Sequence, residues 1–227
     1  MRDAERSGAA PVLNRFMGLD LEGAPGVLVP RAQTEILARA AIQRLPRTST
    51  VADVCCGSGN LALAIASTAL GATVYAADLT SSAVALARRN VERLGLTQRA
   101  HVRQGELFDA FAADGLQGGL EMVVANPPHI FSGRLNGEAA HLLADEPREA
   151  VDGGPYGLTI HQRLIARTPA FLKPGGVLAV EFGIGQERQV AILFARARAF
   201  EAVEFVNDDA GRPRVAVARL APAKVGL

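Results

Sequence analysis

A short polar motif, Ala125-Asn126-Pro127-Pro128-His129, directly follows a stretch that predicts a buried strand. The Asn126 side chain carries an amide oxygen and an amide NH2 group. Because proline has no N–H and disfavours helix in the preceding residue, the carbonyl groups of Asn126 and Pro127 are left outside a continuing backbone ladder. Ligands of open α/β sheets bind at the carboxyl ends of strands. The motif therefore predicts a rigid group of acceptors that suits a planar NH2 group, with a simple proline turn as the alternative.

A glycine-containing segment, residues 53–60, joins the first predicted strand of the sheet to the first predicted helix and reads Asp-Val-Cys-Cys-Gly-Ser-Gly-Asn. Gly57 and Gly59 allow a tight turn and a close approach of the backbone to a ligand. The spacing differs from the dinucleotide fingerprint, which has a third glycine, and from a phosphate loop, which continues with Gly-Lys-Ser/Thr. A strand-to-helix turn without a ligand remains the alternative.

Two carboxylates follow at the ends of the next predicted strands. Asp78 lies about 20 residues beyond the glycines, where a carboxylate accepts the hydroxyl hydrogen bonds of a ribose; its alternative role is to cap the next helix. Glu106 could accept from an adenine amino group while Leu107 packs on the ring, or it could be a solvated loop residue. Together the residues predict a nucleoside site without a phosphate cradle, which fits S-adenosylmethionine better than NAD or ATP.

The elements that position these residues alternate between strand and helix, which implies a parallel sheet with right-handed crossovers. Ser81 is a candidate cap of the second of these helices. The turn at residues 208–213 predicts that the last two strands form a hairpin, which would add an antiparallel edge strand. Strands are predicted at residues 51–55, 73–77, 100–103, 122–125, 177–182, 202–206 and 215–219, and helices at 61–70, 81–94, 158–171 and 187–199.

Composition restricts the class of protein. The 227 residues suffice for one sizeable α/β domain, predicted at 16–227, after a tail at 1–15 that we expect to be disordered. A net charge of +1 with dispersed basic residues does not favour a nucleic-acid partner. There is no apolar run long enough for a bilayer and no signal peptide, so we expect no membrane association. The adjacent Cys55 and Cys56 suggest no disulfide framework and favour the cytoplasm, and the histidines show no metal-ligand spacing.

Taken together, these motifs resemble the class I S-adenosylmethionine-dependent methyltransferases, and more narrowly the HemK-type release-factor glutamine methyltransferases. The similarity extends from about residue 16 to 220 and includes the segments 28–35, 146–154, 180–183 and 209–215. It implies a Rossmann-like seven-stranded sheet, mostly parallel with a C-terminal antiparallel hairpin and with helices on both faces. It also implies cofactor-binding residues Asp53, Cys55, Gly57, Gly59, Asp78, Leu79, Glu106, Leu107 and Asn126, and catalytic residues Asn126, Pro127, Pro128 and His129.

Three features depart from the family pattern. Cys55 stands where the family usually has Gly; we interpret it as tolerated, not as a catalytic thiol, because no base is evident to activate it. His129 stands where the family usually has Tyr, and it can exchange a proton near neutral pH or simply form a pocket wall. Family members carry a helical N-terminal domain that grips the release factor, whereas about 15 residues precede Phe16 here, so we expect that domain to be lacking.

The implied chemistry is direct transfer of a methyl group to a nitrogen. Asn126 and the Pro127 carbonyl accept the N–H groups of the substrate and aim its lone pair, and His129 is the candidate proton acceptor for an amine or guanidine. The departures favour a small molecule with a planar or basic nitrogen; the alternatives are a protein glutamine and a non-catalytic cofactor-binding scaffold. Thr34 could start a helix, and Arg31 could reach a substrate carboxylate or the cofactor.

Overall fold

The computed structural model describes residues 12–144 and 146–222. It contains a two-stranded antiparallel hairpin, β1 (Leu13–Phe16) and β2 (Leu19–Glu22), followed by a seven-stranded sheet. The strands of that sheet are β3 (Ser49–Val54), β4 (Ala72–Asp78), β5 (Ala100–Gln104), β6 (Leu120–Ala125), β7 (Leu172–Glu181), β8 (Glu204–Asn207) and β9 (Pro213–Arg219).

The strands lie in the order β5-β4-β3-β6-β7-β9-β8. The first five are parallel to one another, and β9 is antiparallel to both of its neighbours, β7 and β8. This confirms the predicted fold and the final hairpin but corrects one detail, because the antiparallel strand lies inside the sheet. The edge strand β8 runs in the same direction as the parallel strands, because it is antiparallel to β9 and β9 is antiparallel to β7.

Seven helices surround the sheet in the described residues: α1 (Glu35–Ile42), α2 (Asn60–Thr68), α3 (Ser81–Arg93), α4 (Ser132–Leu135), α5 (Arg148–Val151), α6 (Thr159–Arg167) and α7 (Glu187–Ala197). The cap of α3 is Thr80, whose hydroxyl accepts from the Ala83 N–H at 3.4 Å, and not Ser81 as predicted. The predicted helix at 158–171 ends at Arg167 and continues as a 3₁₀ turn at Thr168–Ala170, because Pro169 lacks the N–H needed for the next helical bond.

Apolar side chains fill both faces of the sheet. One face packs against α1, α2 and α3 through residues such as Leu37, Leu63 and Ile65, all fully buried. The other packs against α6, α7 and a 3₁₀ turn at Leu107–Phe111, where the rings of Phe108 and Phe171 stack with centroids 4.3 Å apart. Within the part of the chain that is described, no helix is both long enough and apolar enough to span a bilayer.

The N-terminal hairpin was not anticipated from the sequence. Residues 1–11 of the predicted tail lie outside the described residues, and residues 13–15 of that tail belong to β1 (Leu13–Phe16). The side chain of Asn90 on α3 holds the hairpin: it accepts from the Glu22 N–H at 2.7 Å and donates to the Glu22 carbonyl at 3.2 Å. Such a contact joins residues 68 positions apart and leaves no local signal in the sequence.

Candidate functional site

The parallel strands β3, β4, β5 and β6 all end at the same edge of the sheet, where the strand order reverses between β3 and β6. Such a switch point is where open α/β sheets bind ligands. A cavity of about 270 Å³ lies at this edge. Predicted site residues that line it are Cys55, Gly57, Asp78, Leu79, Glu106, Leu107, Asn126 and Pro128, and residues 147–152 of the loop after β6 contribute a further wall.

The glycine loop turns sharply through three residues with positive φ. Cys55 has φ +64°, Gly57 +54° and Gly59 +83°. Space is open where a Gly57 Cβ would stand, so the backbone there is accessible to a ligand. Gly59 does not line the cavity; it caps α2, and a Cβ there would lie 3.3 Å from the Ala87 Cβ. The two glycines thus have different roles: Gly57 exposes the backbone to the cavity, and Gly59 allows α3 to pack closely against the loop.

Asp53 lies beneath the loop and not in the cavity wall. Its side chain is fully buried, and Oδ2 accepts from the Ala62 N–H at 3.0 Å, while Oδ1 has no hydrogen-bond partner among residues 12–144 and 146–222. Burial raises the pKa of Asp53 to about 7, an increase that the Ala62 hydrogen bond opposes and the nearby Asp78 charge reinforces. The carboxyl group anchors the start of α2 under the cavity.

Asp78 holds the loop at the cavity wall. Oδ2 accepts from the Gly57 N–H at 2.9 Å, and Oδ1 accepts from the Thr80 N–H at 3.0 Å and the Thr80 hydroxyl at 3.1 Å. Each carboxylate oxygen can accept more than one hydrogen bond, so capacity remains for ribose hydroxyls. Asp78 therefore supports the start of α3 through Thr80 and also lines the cavity, and its contact with a ribose stays a prediction.

Glu106 and Leu107 lie on the far side of the same cavity. The Glu106 carboxylate pairs with Arg163 on α6 at 2.6 Å, and this hydrogen bond lowers the pKa of Glu106. Leu107 is buried and has φ +50°, which turns the chain into the 3₁₀ segment. Leu79 contributes an exposed apolar side chain. Glu106, Leu107 and Leu79 thus line one cavity, and their contact with a nucleoside base stays a prediction.

Asn126 connects this cavity to a second one of about 190 Å³. Its Nδ2 donates to the Thr34 hydroxyl at 3.2 Å, whereas its Oδ1 is buried and has no hydrogen-bond partner among the described residues. Pro128 lines the first cavity and Pro127 the second. The acceptor predicted from the sequence therefore stands at the junction of two spaces of unequal size.

His129 lines the second cavity together with Pro127. Its Nδ1 lies 3.0 Å from the Pro127 carbonyl oxygen, which can only accept, so Nδ1 carries the proton. Burial lowers the pKa of His129, against the Pro127 hydrogen bond that raises it, and the charges of Arg214 and Arg31 lower it further. The ring is thus neutral at pH 7 and Nε2 carries the free lone pair.

Local contacts bear on two other sequence hypotheses. Arg31 lines the second cavity and pairs with Glu146 at 2.5 Å, so its charge is balanced by the loop after β6. Burial raises the pKa of both Cys55 and Cys56, which keeps the thiols protonated and agrees with the interpretation of Cys55 as a tolerated replacement. In residues 12–144 and 146–222 no three His, Cys, Asp or Glu side chains cluster to hold a metal.

The sequence did not predict the residues that form hydrogen bonds with Asn126 and His129. Thr34 was considered only as a helix start, yet it bonds to Asn126 across 92 positions of sequence. Gln186 accepts from the Gly183 N–H at 2.7 Å and donates to the His129 carbonyl at 3.0 Å. Both residues lie in or beside segments that carry the family resemblance, 28–35 and 180–183, and that was the signal available.

Comparison with known proteins identifies the family. Residues 30–156 match the methyltransferase small domain family. The chain is 38% identical over 201 residues to a release factor glutamine methyltransferase of Moorella thermoacetica, covering 88% of this chain and 69% of that protein. The chain belongs to the HemK-type S-adenosylmethionine-dependent methyltransferases. It is therefore an S-adenosylmethionine-dependent enzyme.

Two further comparisons agree. A release factor glutamine methyltransferase of Geobacter sulfurreducens is 37% identical over 181 residues, which cover 80% of this chain and 62% of that protein. The chain thus spans about two thirds of the length of these relatives. A crystal structure of a methyltransferase from Pyrococcus furiosus superposes with a TM-score of 0.63 at 16% identity, covering 90% of both chains, which supports the fold.

Proposed function

We propose that this methyltransferase transfers a methyl group to the side-chain amide nitrogen of a glutamine in a protein of the peptide chain release factor class. The observation that supports this most directly is Asn126, whose buried Oδ1 lacks a partner among the described residues at the junction of the two cavities. The two relatives are release factor glutamine methyltransferases, which favours the protein glutamine over the small molecule expected from the departures in sequence.

In this proposal the larger cavity holds S-adenosylmethionine, whose sulfonium supplies an electrophilic methyl group. Asp78, the backbone at Gly57, Leu79 and Leu107 line this cavity. Asp78 would accept the ribose hydroxyls, and the two leucines would contact the base. The Cys55 and Cys56 thiols stay protonated and take no part in the transfer. The cofactor is held mainly by shape and by one carboxylate, without a phosphate cradle.

The smaller cavity takes the glutamine amide. Its two N–H groups donate to Asn126 Oδ1 and to the Pro127 carbonyl, which keeps a second lone pair beside its bond to His129. These acceptors draw the amide plane into one orientation and increase electron density on the nitrogen, which is a poor nucleophile when its lone pair is delocalised. Positioning and preorganised dipoles supply the rate enhancement.

His129 serves in this scheme as an orienting donor and a proton acceptor. Its Nδ1–H fixes the Pro127 carbonyl, and Nε2 is free to accept the proton that the methylated nitrogen loses after transfer. Loss of the proton after the methyl transfer requires no strong base, which agrees with the lowered pKa of His129. The proposal therefore needs neither a metal nor a nucleophilic side chain.

The test is mass spectrometry of a purified release factor incubated with the enzyme and S-adenosylmethionine labelled in the methyl group. We expect one labelled methyl group on a glutamine side chain, and loss of labelling in Asn126→Ala. Asn207→Ala, an exposed asparagine on the edge strand β8, is the matched control and should label as the unchanged enzyme does.

A parallel reaction contains a panel of free amines, guanidines and primary amides in place of the protein. Methylation of a panel compound with no label on the release factor would overturn the proposal in favour of a small-molecule substrate. Cofactor binding by a folded enzyme with no transfer to either class would instead support the scaffold alternative.

A further inference from the structure

One glutamine side chain joins the loops that follow two neighbouring parallel strands, β6 and β7. Gln186 lies directly before α7 and is half-buried. Its Oε1 accepts from the Gly183 N–H at 2.7 Å, just after β7, and its Nε2 donates to the His129 carbonyl at 3.0 Å, in the motif after β6. A single side chain therefore ties the loop after β7 to the motif that would hold the substrate.

The contacts of Gln186 define which way its amide points. The Gly183 N–H can only donate and the His129 carbonyl can only accept, so the amide oxygen faces residue 183 and the NH2 group faces residue 129. The backbone of Gln186 is also held: its N–H donates to the Gly183 carbonyl at 3.2 Å, and its carbonyl accepts from the Val190 N–H at 2.9 Å. The bridge is therefore fixed at both ends of the amide and at the main chain.

The backbone of His129 is closely surrounded where Gln186 binds it. A Cβ at Gly157 would lie 2.5 Å from the His129 carbonyl oxygen and 2.7 Å from Gln186 Nε2, so only glycine leaves room for this hydrogen bond. A Cβ at Gly183 would lie 3.3 Å from His129 Cδ2, which places the imidazole ring against the same backbone that Gln186 binds. Gln186 thus contacts residue 129 directly and supports the wall beside its ring.

The position of the His129 ring affects the neighbouring acceptor. His129 Nδ1–H donates to the Pro127 carbonyl at 3.0 Å, and both residues line the second cavity. A displaced ring would lose this hydrogen bond and leave the carbonyl free to turn away from a substrate nitrogen. Since a displacement of about 1 Å is enough to slow a reaction that depends on positioning, the groups that support an acceptor affect the rate.

We propose that Gln186 is a positioning residue that holds His129 against Pro127 and thereby aims the Pro127 carbonyl at the substrate nitrogen. The effect on methyl transfer rests on the proposed function, whereas the effect on the His129 ring does not. Gln186 is not among the residues that line the two cavities, so it acts through residue 129, from which it is separated by 57 positions of sequence.

The experiment compares Gln186→Met with Gln186→Glu. Methionine has a similar length and forms neither hydrogen bond, whereas an ionised glutamate keeps an acceptor for the Gly183 N–H but has no donor for the His129 carbonyl. With the release factor as substrate, we expect both variants to lower kcat at least about fivefold. KM for the release factor and the affinity for S-adenosylhomocysteine should stay within about twofold. An unchanged kcat in Gln186→Glu would overturn the proposal, because the hydrogen bond to His129 would then have no effect on the reaction.

Two control variants separate this effect from a general loss of stability and from added charge. Ser49→Ala removes a side-chain donor from a backbone carbonyl, that of Pro46 at 2.7 Å, and it lies at the start of β3, whereas the cavities lie where β3 ends. Gln98→Glu adds the same charge at an exposed glutamine that is not among the cavity residues. A kcat loss in Gln186→Met no larger than that in Ser49→Ala, or in Gln186→Glu no larger than that in Gln98→Glu, would overturn the proposal.

A second readout needs no substrate. Nuclear magnetic resonance of protein with isotope-labelled histidine reports which ring nitrogen carries the proton, and the His129 signals are assigned by their loss in His129→Phe. The unchanged protein should show a protonated Nδ1 on His129. In both Gln186 variants the signals should shift towards the mixture of tautomers that a free imidazole shows, because the hydrogen bond that selects one tautomer is weakened. The signals of His101, whose ring lies beside Tyr75, should not move.

Failure of the proposed function is distinguishable from failure of this inference. An enzyme that methylates no release factor contradicts the proposed function, and the His129 signals then still decide whether Gln186 positions the ring. Unchanged His129 signals in both Gln186→Met and Gln186→Glu would refute the inference for any substrate.

Discussion

Replacement of Asp78 by Asn tests the proposed cofactor site with a change of one atom type and almost no change of shape. Hydrogen bonds to a charged acceptor contribute about 1.5 to 3 kcal/mol, and those between neutral groups about 0.5 to 1.5 kcal/mol. With two ribose hydroxyls donating to the carboxylate, the substitution should cost about 1 to 3 kcal/mol of binding free energy. That loss corresponds to about a 5- to 150-fold weaker affinity for S-adenosylhomocysteine.

The Asp78→Asn variant cannot keep all the hydrogen bonds that the Asp78 carboxylate accepts. The carboxylate accepts from the Gly57 N–H at 2.9 Å through one oxygen and from the Thr80 N–H at 3.0 Å through the other. An asparagine has one oxygen, so one of these donors loses its acceptor, and the free energy of unfolding should fall by about 1 kcal/mol. Loosening of the Gly57 loop would add to the loss of affinity.

Isothermal titration calorimetry with S-adenosylhomocysteine measures the affinity, and urea unfolding measures the stability. The matched control is Asp109→Asn, which makes the same substitution at an exposed carboxylate that pairs with Arg167 and does not line the cavity. We expect its affinity to equal that of the unchanged protein. A folded Asp78→Asn protein that bound S-adenosylhomocysteine within twofold of the unchanged protein would refute the assignment of Asp78 to the ribose.

Two further predictions concern the residues beside Asp78. Because burial raises the pKa of Asp53 from 3.8 to about 7, the folded state binds a proton that the unfolded state has released between these pH values. The free energy of unfolding should therefore fall by about 4 kcal/mol as pH rises from 4 to 7. Urea unfolding of Asp53→Asn from pH 4 to 8 should lack this decline. If the free energies of unfolding of the two proteins changed in parallel with pH, the prediction would be wrong. Cys55 has φ +64°, a conformation that is strained for any residue with a Cβ, so Cys55→Gly should raise the free energy of unfolding by about 1 kcal/mol. Cys55→Ala, which keeps the Cβ, should show no such gain in the same urea measurement, and equal stabilities of the two variants would remove strain as the cause.

The sequence predicted most of the fold because its elements carry local signals. The strand ending at Asp78 and the helix beginning near Ser81 follow from apolar periodicity and polar boundaries, and the structure differs by one or two residues at their ends. The hairpin β1–β2 was not predicted, because its strands have only four residues each and its position is held by Asn90 of α3. Short elements held by distant side chains leave too little pattern to recognise.

The residues of the candidate site were also only partly predictable from the sequence. Gly57, Asp78, Leu107 and Asn126 were named from motif spacing, and all four line the larger cavity because parallel strands end at one edge. Asp53 was assigned to the cofactor by the same reasoning, yet it is buried beneath the loop. Spacing indicates which residues lie near a strand end but not whether a side chain points to the cavity or under it.

The sequence by itself determined the seven strands of the main sheet, the four longer helices between them and the residues at the strand ends, because these depend on neighbours a few positions apart. Only the tertiary structure decided what each of those residues touches. Asn126 meets Thr34 across 92 positions, and the pairing of Arg31 with Glu146 spans 115 positions. Such contacts depend on how the sheet and its loops close on each other, which no local pattern of residues specifies.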